Sequence, residues 1–169
     1  MSYEKQAGPP KVIRFYYGID AIFTKVSRKS SFKAASVLKE NGQADFDRIQ
    51  LSDDNEKTLM KDYMQEALLE IFSILFKIIA GNSIVHDAAF TPSGGSAIQA
   101  FYADIADNEK YRTINLDLID KKIDNAVVDF ILFKWYALKG FPDDASIHRA
   151  EFNSYLAQIS EKSLALRQP

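Results

Sequence analysis

Ala126-Val127-Val128-Asp129-Phe130-Ile131-Leu132-Phe133-Lys134-Trp135-Tyr136-Ala137-Leu138-Lys139-Gly140-Phe141-Pro142-Asp143-Asp144 is the stretch whose reading decides the fold. Ile119, Ile123, Ala126, Val127, Phe130, Ile131, Lys134 and Leu138 recur at helical spacing. Asn115 or Asp117 opens this helix and Gly140 ends it, with Pro142 just beyond as a stop. Between Ala126 and Leu138 only Asp129 and Lys134 are charged, while Val128, Leu132, Trp135 and Tyr136 carry apolar surface around the cylinder. Such a helix is predicted to be buried on more than one side. Asp143 and Asp144 suit the positive end of a last helix. Its Ile147, Phe152, Tyr155, Leu156, Ile159 and Leu166 form a narrow stripe opposite Glu151, Gln158, Glu161, Lys162 and Arg167. The pair is predicted to be an antiparallel helical hairpin with its second arm at the surface.

A second long helix lies upstream. Asp53 and Glu56 have capping-box spacing, and Met60, Met64, Ala67, Leu68, Ile71, Leu75 and Ile78 line one face before Gly81. This predicts about 28 residues, roughly 42 Å of helix. From Leu68 onward Phe72, Ile74, Phe76 and Ile79 occupy the other faces, so cover from the rest of the bundle or from another chain is expected. Asp62, Glu66 and Glu70 read as a solubilising stripe.

The remainder is shorter-ranged. Met1 to Pro10 reads as a loose lead-in without the basic and apolar regions of a signal peptide. Lys11 to Tyr17, rich in β-branched and aromatic residues and ending at Gly18, predicts a short strand or arm. Ile19, Ile22, Phe23 and Val26 predict a short helix to about Lys29, and Ala34 to Glu40 another, stopped by Asn41-Gly42. Ile84 to Phe90 and Ala97 to Ile105, joined by Thr91-Pro92-Ser93-Gly94-Gly95, read as a β-hairpin or long arm, with a helix over Ala97 to Ile105 as the alternative.

The expected fold class is therefore mainly α, a helical bundle with long central helices and a small β-hairpin or extended arm. Residues 1–18 form an N-terminal arm or short strand, and 19–169 a single helical domain with the arm inserted at about 82–106. The chain has 169 residues, enough for one core without staples. Its lack of cysteine excludes disulfides and thiolate metal sites and fits a reducing compartment. The most apolar window, Ala67 to Ala80, is broken by Glu70, Ser73 and Lys77 and is too short to span a bilayer, so no membrane association is expected. A net charge of −2 provides no global field for nucleic acid.

Candidate chemistry is sparse. Lys25, Arg28, Lys29 and Lys33, clustered around Phe32, form a weak basic patch whose functional reading is phosphate or acidic-partner contact and whose simpler reading is a solvated helix face. Asp117, Asp120 and Asp124 share a helical face that could ligate a hard cation, but a solvated first turn explains them and no metal is predicted. His148 reads as a solvated surface residue, and His86 is badly placed to be oriented by Asp87. Thr91 to Ser96 lacks the lysine and spacing of a phosphate loop. No catalytic, cofactor or metal residue is assigned, no cofactor is predicted, and the chain is not read as an enzyme.

The pattern from Ile119 to Tyr136, the turn Gly140-Phe141-Pro142-Asp143-Asp144-Ala145, and Phe152, Tyr155 and Ile159 after it resemble the C-terminal helical hairpin of small neck proteins from tailed bacteriophages, notably those of Bacteroides-type phages. The order of long helix, extended arm and hairpin over residues 52–167 is similar to head–tail connectors and adaptors. The resemblance implies a virion structural protein assembled in the bacterial host cytoplasm. It further implies a homo-oligomeric ring of twelve or six that contacts portal, adaptor or tail-tube proteins, with nucleic acid only incidental. The subunit-interface candidates are Phe90, Thr91, Pro92, Ser93, Gly94, Gly95, Trp135 and Tyr136. The last two are of anchor type, with core packing as the simpler alternative. The rival readings are a nucleic-acid-binding regulator using the basic patch and an enzyme of unrecognised type.

Overall fold

The computed structural model describes residues 3–6, 12–39, 42–51, 54–75, 84–106 and 116–164. The elements run β1 (Tyr3–Gln6), β2 (Val12–Gly18), α1 (Ile19–Ser36), α2 (Phe46–Ile49), α3 (Asp54–Leu75), β3 (Val85–Phe90), β4 (Ile98–Ala106), α4 (Leu116–Lys139) and α5 (Pro142–Leu164). The protein is mainly helical with a small antiparallel sheet of order β1-β2-β4-β3.

The central position of α4 follows from its sequence. Every residue from Ala126 to Leu132 is buried, as are Ile119, Ile123, Trp135 and Tyr136. A helix this apolar needs neighbours all round, and α5, α3 and α1 supply them within the chain. Most of its apolar surface is thus covered internally, with Leu118 and Leu138 left exposed. Phe152 of α5 meets Phe130 edge-on at 4.9 Å. Trp135 donates from Nε1 to the Ile49 carbonyl at 2.7 Å, tying α2 to the core.

The turn between α4 and α5 is a Schellman motif. The Phe141 N–H donates to the Tyr136 carbonyl and the Gly140 N–H to that of Ala137, which requires the positive φ of 81° that Gly140 adopts. α4 ends at Lys139 as expected, and Pro142 just beyond Gly140 is also the first residue of α5, where its missing N–H costs nothing.

In α3, Met60, Met64, Ala67, Leu68, Ile71 and Phe72 are buried, Ile74 is half-buried and Leu69 is exposed. Asp53 and the expected continuation through Phe76, Ile78 and Ile79 to Ala80 and Gly81 lie outside the described residues, as does Asn115.

Three expectations about the N-terminal half are corrected. Tyr3 to Gln6, read as part of a loose lead-in, is an edge strand pairing with β2 from Tyr3↔Phe15 to Gln6↔Val12. The two short helices expected before Asn41 are one, because Ser30, Ser31 and Ser36 satisfy their hydroxyls on carbonyls three residues back and leave the helical ladder intact. Gly42, with φ 77°, serves the tight turn beside the Leu38↔Ala44 bridge rather than a helix end. The arm expected at about 82–106 is, over its described residues 84–106, the expected hairpin, and it is laid into the sheet. β4 pairs with β2 from Val12↔Ala106 to Gly18↔Ala100, which also removes the helical alternative for Ala97 to Ile105. Ile13, Phe15 and Tyr17 of β2 and Phe101 and Ala103 of β4 bury the face turned to the helices.

Candidate functional site: the ion-paired seam of α1, α4 and α5

Lys25, Lys29 and Lys33 lie four residues apart on α1 and therefore on one stripe. Each meets an aspartate. Lys25 Nζ is 2.5 Å from Asp124, Lys29 Nζ 3.1 Å from Asp129 and Lys33 Nζ 2.7 Å from Asp144. The first two aspartates belong to α4 and the third to α5, so the stripe clamps α1 onto the helical hairpin. The three rungs differ in environment. Lys25 and Lys29 are each about half exposed, but Asp129 is buried whereas Asp124 and Asp144 are reached by water. An exposed pair contributes under about 1 kcal/mol, and a buried carboxylate is strongly dependent on its partners.

Asp129 has a second partner. His148 Nδ1 lies 2.9 Å from the same oxygen that accepts from Lys29, and the imidazole stacks on Tyr136 at 5.4 Å. His148 is consequently half-buried and engaged, not the solvated residue its polar neighbourhood predicted. Burial, with Asp144 adding to it, pushes the Tyr136 hydroxyl up to about 12. Burial likewise raises Tyr155, assisted by Asp129 and Glu151 and opposed by a hydrogen bond from Asn125.

The acidic face expected on α4 is divided among different roles. Asp117 is exposed, Asp124 is taken by Lys25, and Asp120 is buried next to Tyr17, so the three do not form a solvated turn. Burial, followed by Asp120 and Asp124, raises the Tyr17 hydroxyl well above its ordinary value. Among the described residues no group of three or more His, Asp or Glu side chains is placed to hold a metal ion. No described helix is long and apolar enough to cross a membrane.

A parallel seam joins α3 to the hairpin. Glu66 pairs with Lys134 at 2.8 Å, Glu70 with Arg149 at 3.2 Å and Glu56 with Lys139 at 3.3 Å. Glu66 and Glu70 thus hold helices together in addition to facing water, while Asp62 remains exposed.

The interface candidates separate into two groups. Trp135 and Tyr136 are buried inside the chain and cannot serve as exposed anchors. Phe90 is buried as well, against Tyr16 at 5.0 Å and Tyr102 at 5.6 Å. Thr91, Ser93, Gly94 and Gly95 are exposed at the hairpin tip and Pro92 is half-buried. His86 is exposed on β3, its ring 5.1 Å from that of Phe101. Of the basic patch, Arg28 alone projects away from the seam into solvent.

Comparison with protein-family models, curated proteins and solved structures returned no match.

Proposed function

We propose that the protein is a structural assembly protein that acts through contacts with other protein. The observation supporting this reading is that the lysine stripe of α1 is taken up in fastening helices, Lys25 and Lys29 by Asp124 and Asp129 of α4 and Lys33 by Asp144 of α5. What remains for a partner is of another kind: the exposed hairpin tip from Ser93 to Gly95 and large apolar side chains such as Phe32, Leu38, Leu138 and Ile147. The specific form proposed is the phage neck component that residues 52–167 resemble, a ring subunit that contacts portal or tail proteins in the virion.

The test is the mass of the purified full chain together with electron microscopy. Closed rings, or incorporation into phage particles, are the expected result. A monomer at high concentration that binds no virion component contradicts the proposal.

A further inference from the structure

The ladder across the α1 seam fixes the relative course of two helices. Lys33 meets Asp144, and four residues earlier Lys29 meets His148 through Asp129 of α4, so α1 and α5 run antiparallel and are joined along this line by long side chains and by α4 between them. Phe32 lies between the two lysines in sequence, and Ile147 between Asp144 and His148. Neither is buried by its own chain: Phe32 is 67% and Ile147 59% exposed. Isolated exposed apolar residues are ordinary. Two on facing sides of one seam, with complementary surroundings, are more informative.

Those surroundings are opposite in charge. On α1 the exposed residue one turn before Phe32 is Arg28; on α5 the exposed residues one turn either side of Ile147 are Asp143 and Glu151. None of these three makes an ion pair with another described residue, in contrast to the lysines and aspartates that form the ladder beneath. The outer face of the seam is therefore bipolar, with a cationic half around Phe32 and an anionic half around Ile147.

We infer that this face is a two-fold contact between two copies of the chain. A rotation of 180° about an axis along the seam places α1 of one copy over α5 of the other, and the reverse. Phe32 then meets the second copy's Ile147, and Arg28 meets the second copy's Glu151, twice by symmetry. A face that carries both signs and an apolar centre matches itself better than it matches a uniformly charged partner. The inference rests on the assembly reading and specifies its first step, a dimer as the unit that is built into larger structures.

The experiment is analytical ultracentrifugation of the full chain and four variants. Phe32 and Ile147 are exposed, so substitution there leaves the core intact, and circular dichroism verifies this. The wild type is expected to sediment at twice 19.1 kDa or, where dimers assemble further, at a multiple of that mass. Phe32→Asp and Ile147→Asp should be monomers. Arg28→Glu should weaken dimerisation at least about tenfold, and adding Glu151→Arg to it should recover most of that loss. A wild type that stays monomeric up to about 1 mM overturns the inference, and so does an oligomer indifferent to both aspartate substitutions. A dimer broken by them that never enters particles upholds the contact and defeats the neck reading. Normal particles built from the aspartate variants do the reverse.

Discussion

Lys29 and Asp129 stand one hundred residues apart in sequence and 3.1 Å apart in the fold. Their pairing joins two features that looked independent, a basic cluster near the N-terminus and a carboxylate in the most apolar helix of the chain. A charge at position 129 is tolerable in that helix because a lysine and a histidine both reach it.

The first prediction concerns the rival functions. With Lys25, Lys29 and Lys33 neutralised by aspartates, the protein should not retard duplex DNA in a gel shift even at low salt. Likewise, millimolar magnesium or calcium should leave its melting temperature unchanged, since Asp120 and Asp124 are already committed. Salt-sensitive DNA binding, or metal-dependent stabilisation lost on Asp120→Ala, would restore one of those readings.

The helices were legible where apolar period alone determines them. Ile119 to Tyr136 and Met60 to Ile71 sort at helical spacing into the observed core, and Gly140 marks the turn because no other residue takes its φ cheaply. β1 was not legible, because Tyr3-Glu4-Lys5-Gln6 has no alternation of its own and becomes a strand only through β2. α1 was split by Ser30 and Ser31, whose poor helix propensity is overridden when Ser30 Oγ accepts the Leu51 N–H as well as donating to Ser27. For the seam, the four-residue spacing of Lys25, Lys29 and Lys33 was the available signal that they share a face. Their partners lie about a hundred residues away in sequence, and a single sequence carries no record of that proximity.

Alkaline titration gives a second test. Tyr136 is held up to about 12 by burial, against an unfolded value near 10. Its folded-state pKa is raised, so its contribution to stability is complete below about pH 10 and is lost as pH climbs toward 12. Denaturation midpoints should therefore fall across that window, with a slope of up to about 1.4 kcal/mol per pH unit for each tyrosine that keeps its proton only when folded. Tyr136→Phe should flatten the fall, and an unchanged slope in that variant would show that the tyrosine titrates freely.

At the turn between α4 and α5, Gly140→Ala should cost about 1–2 kcal/mol in urea unfolding, because its φ of 81° is left-handed. Space is not the cause, since the nearest atom to an added Cβ is 3.9 Å away on Arg48. Gly95→Ala at the hairpin tip, which meets only Pro92 at ordinary contact distance, should cost under about 0.5 kcal/mol. Equal costs at the two positions would contradict this assignment of strain.

The most direct test of the seam is a double-mutant cycle on Lys29→Met and Asp129→Asn, measured by chemical denaturation. If the pair clamps α1 to α4, the two substitutions are coupled by about 1–2 kcal/mol, and the same cycle on the more exposed Lys25 and Asp124 gives less than about 1 kcal/mol. Effects at Lys29 and Asp129 that add to within about 0.3 kcal/mol would contradict the account and return the lysines of α1 to the surface as free groups.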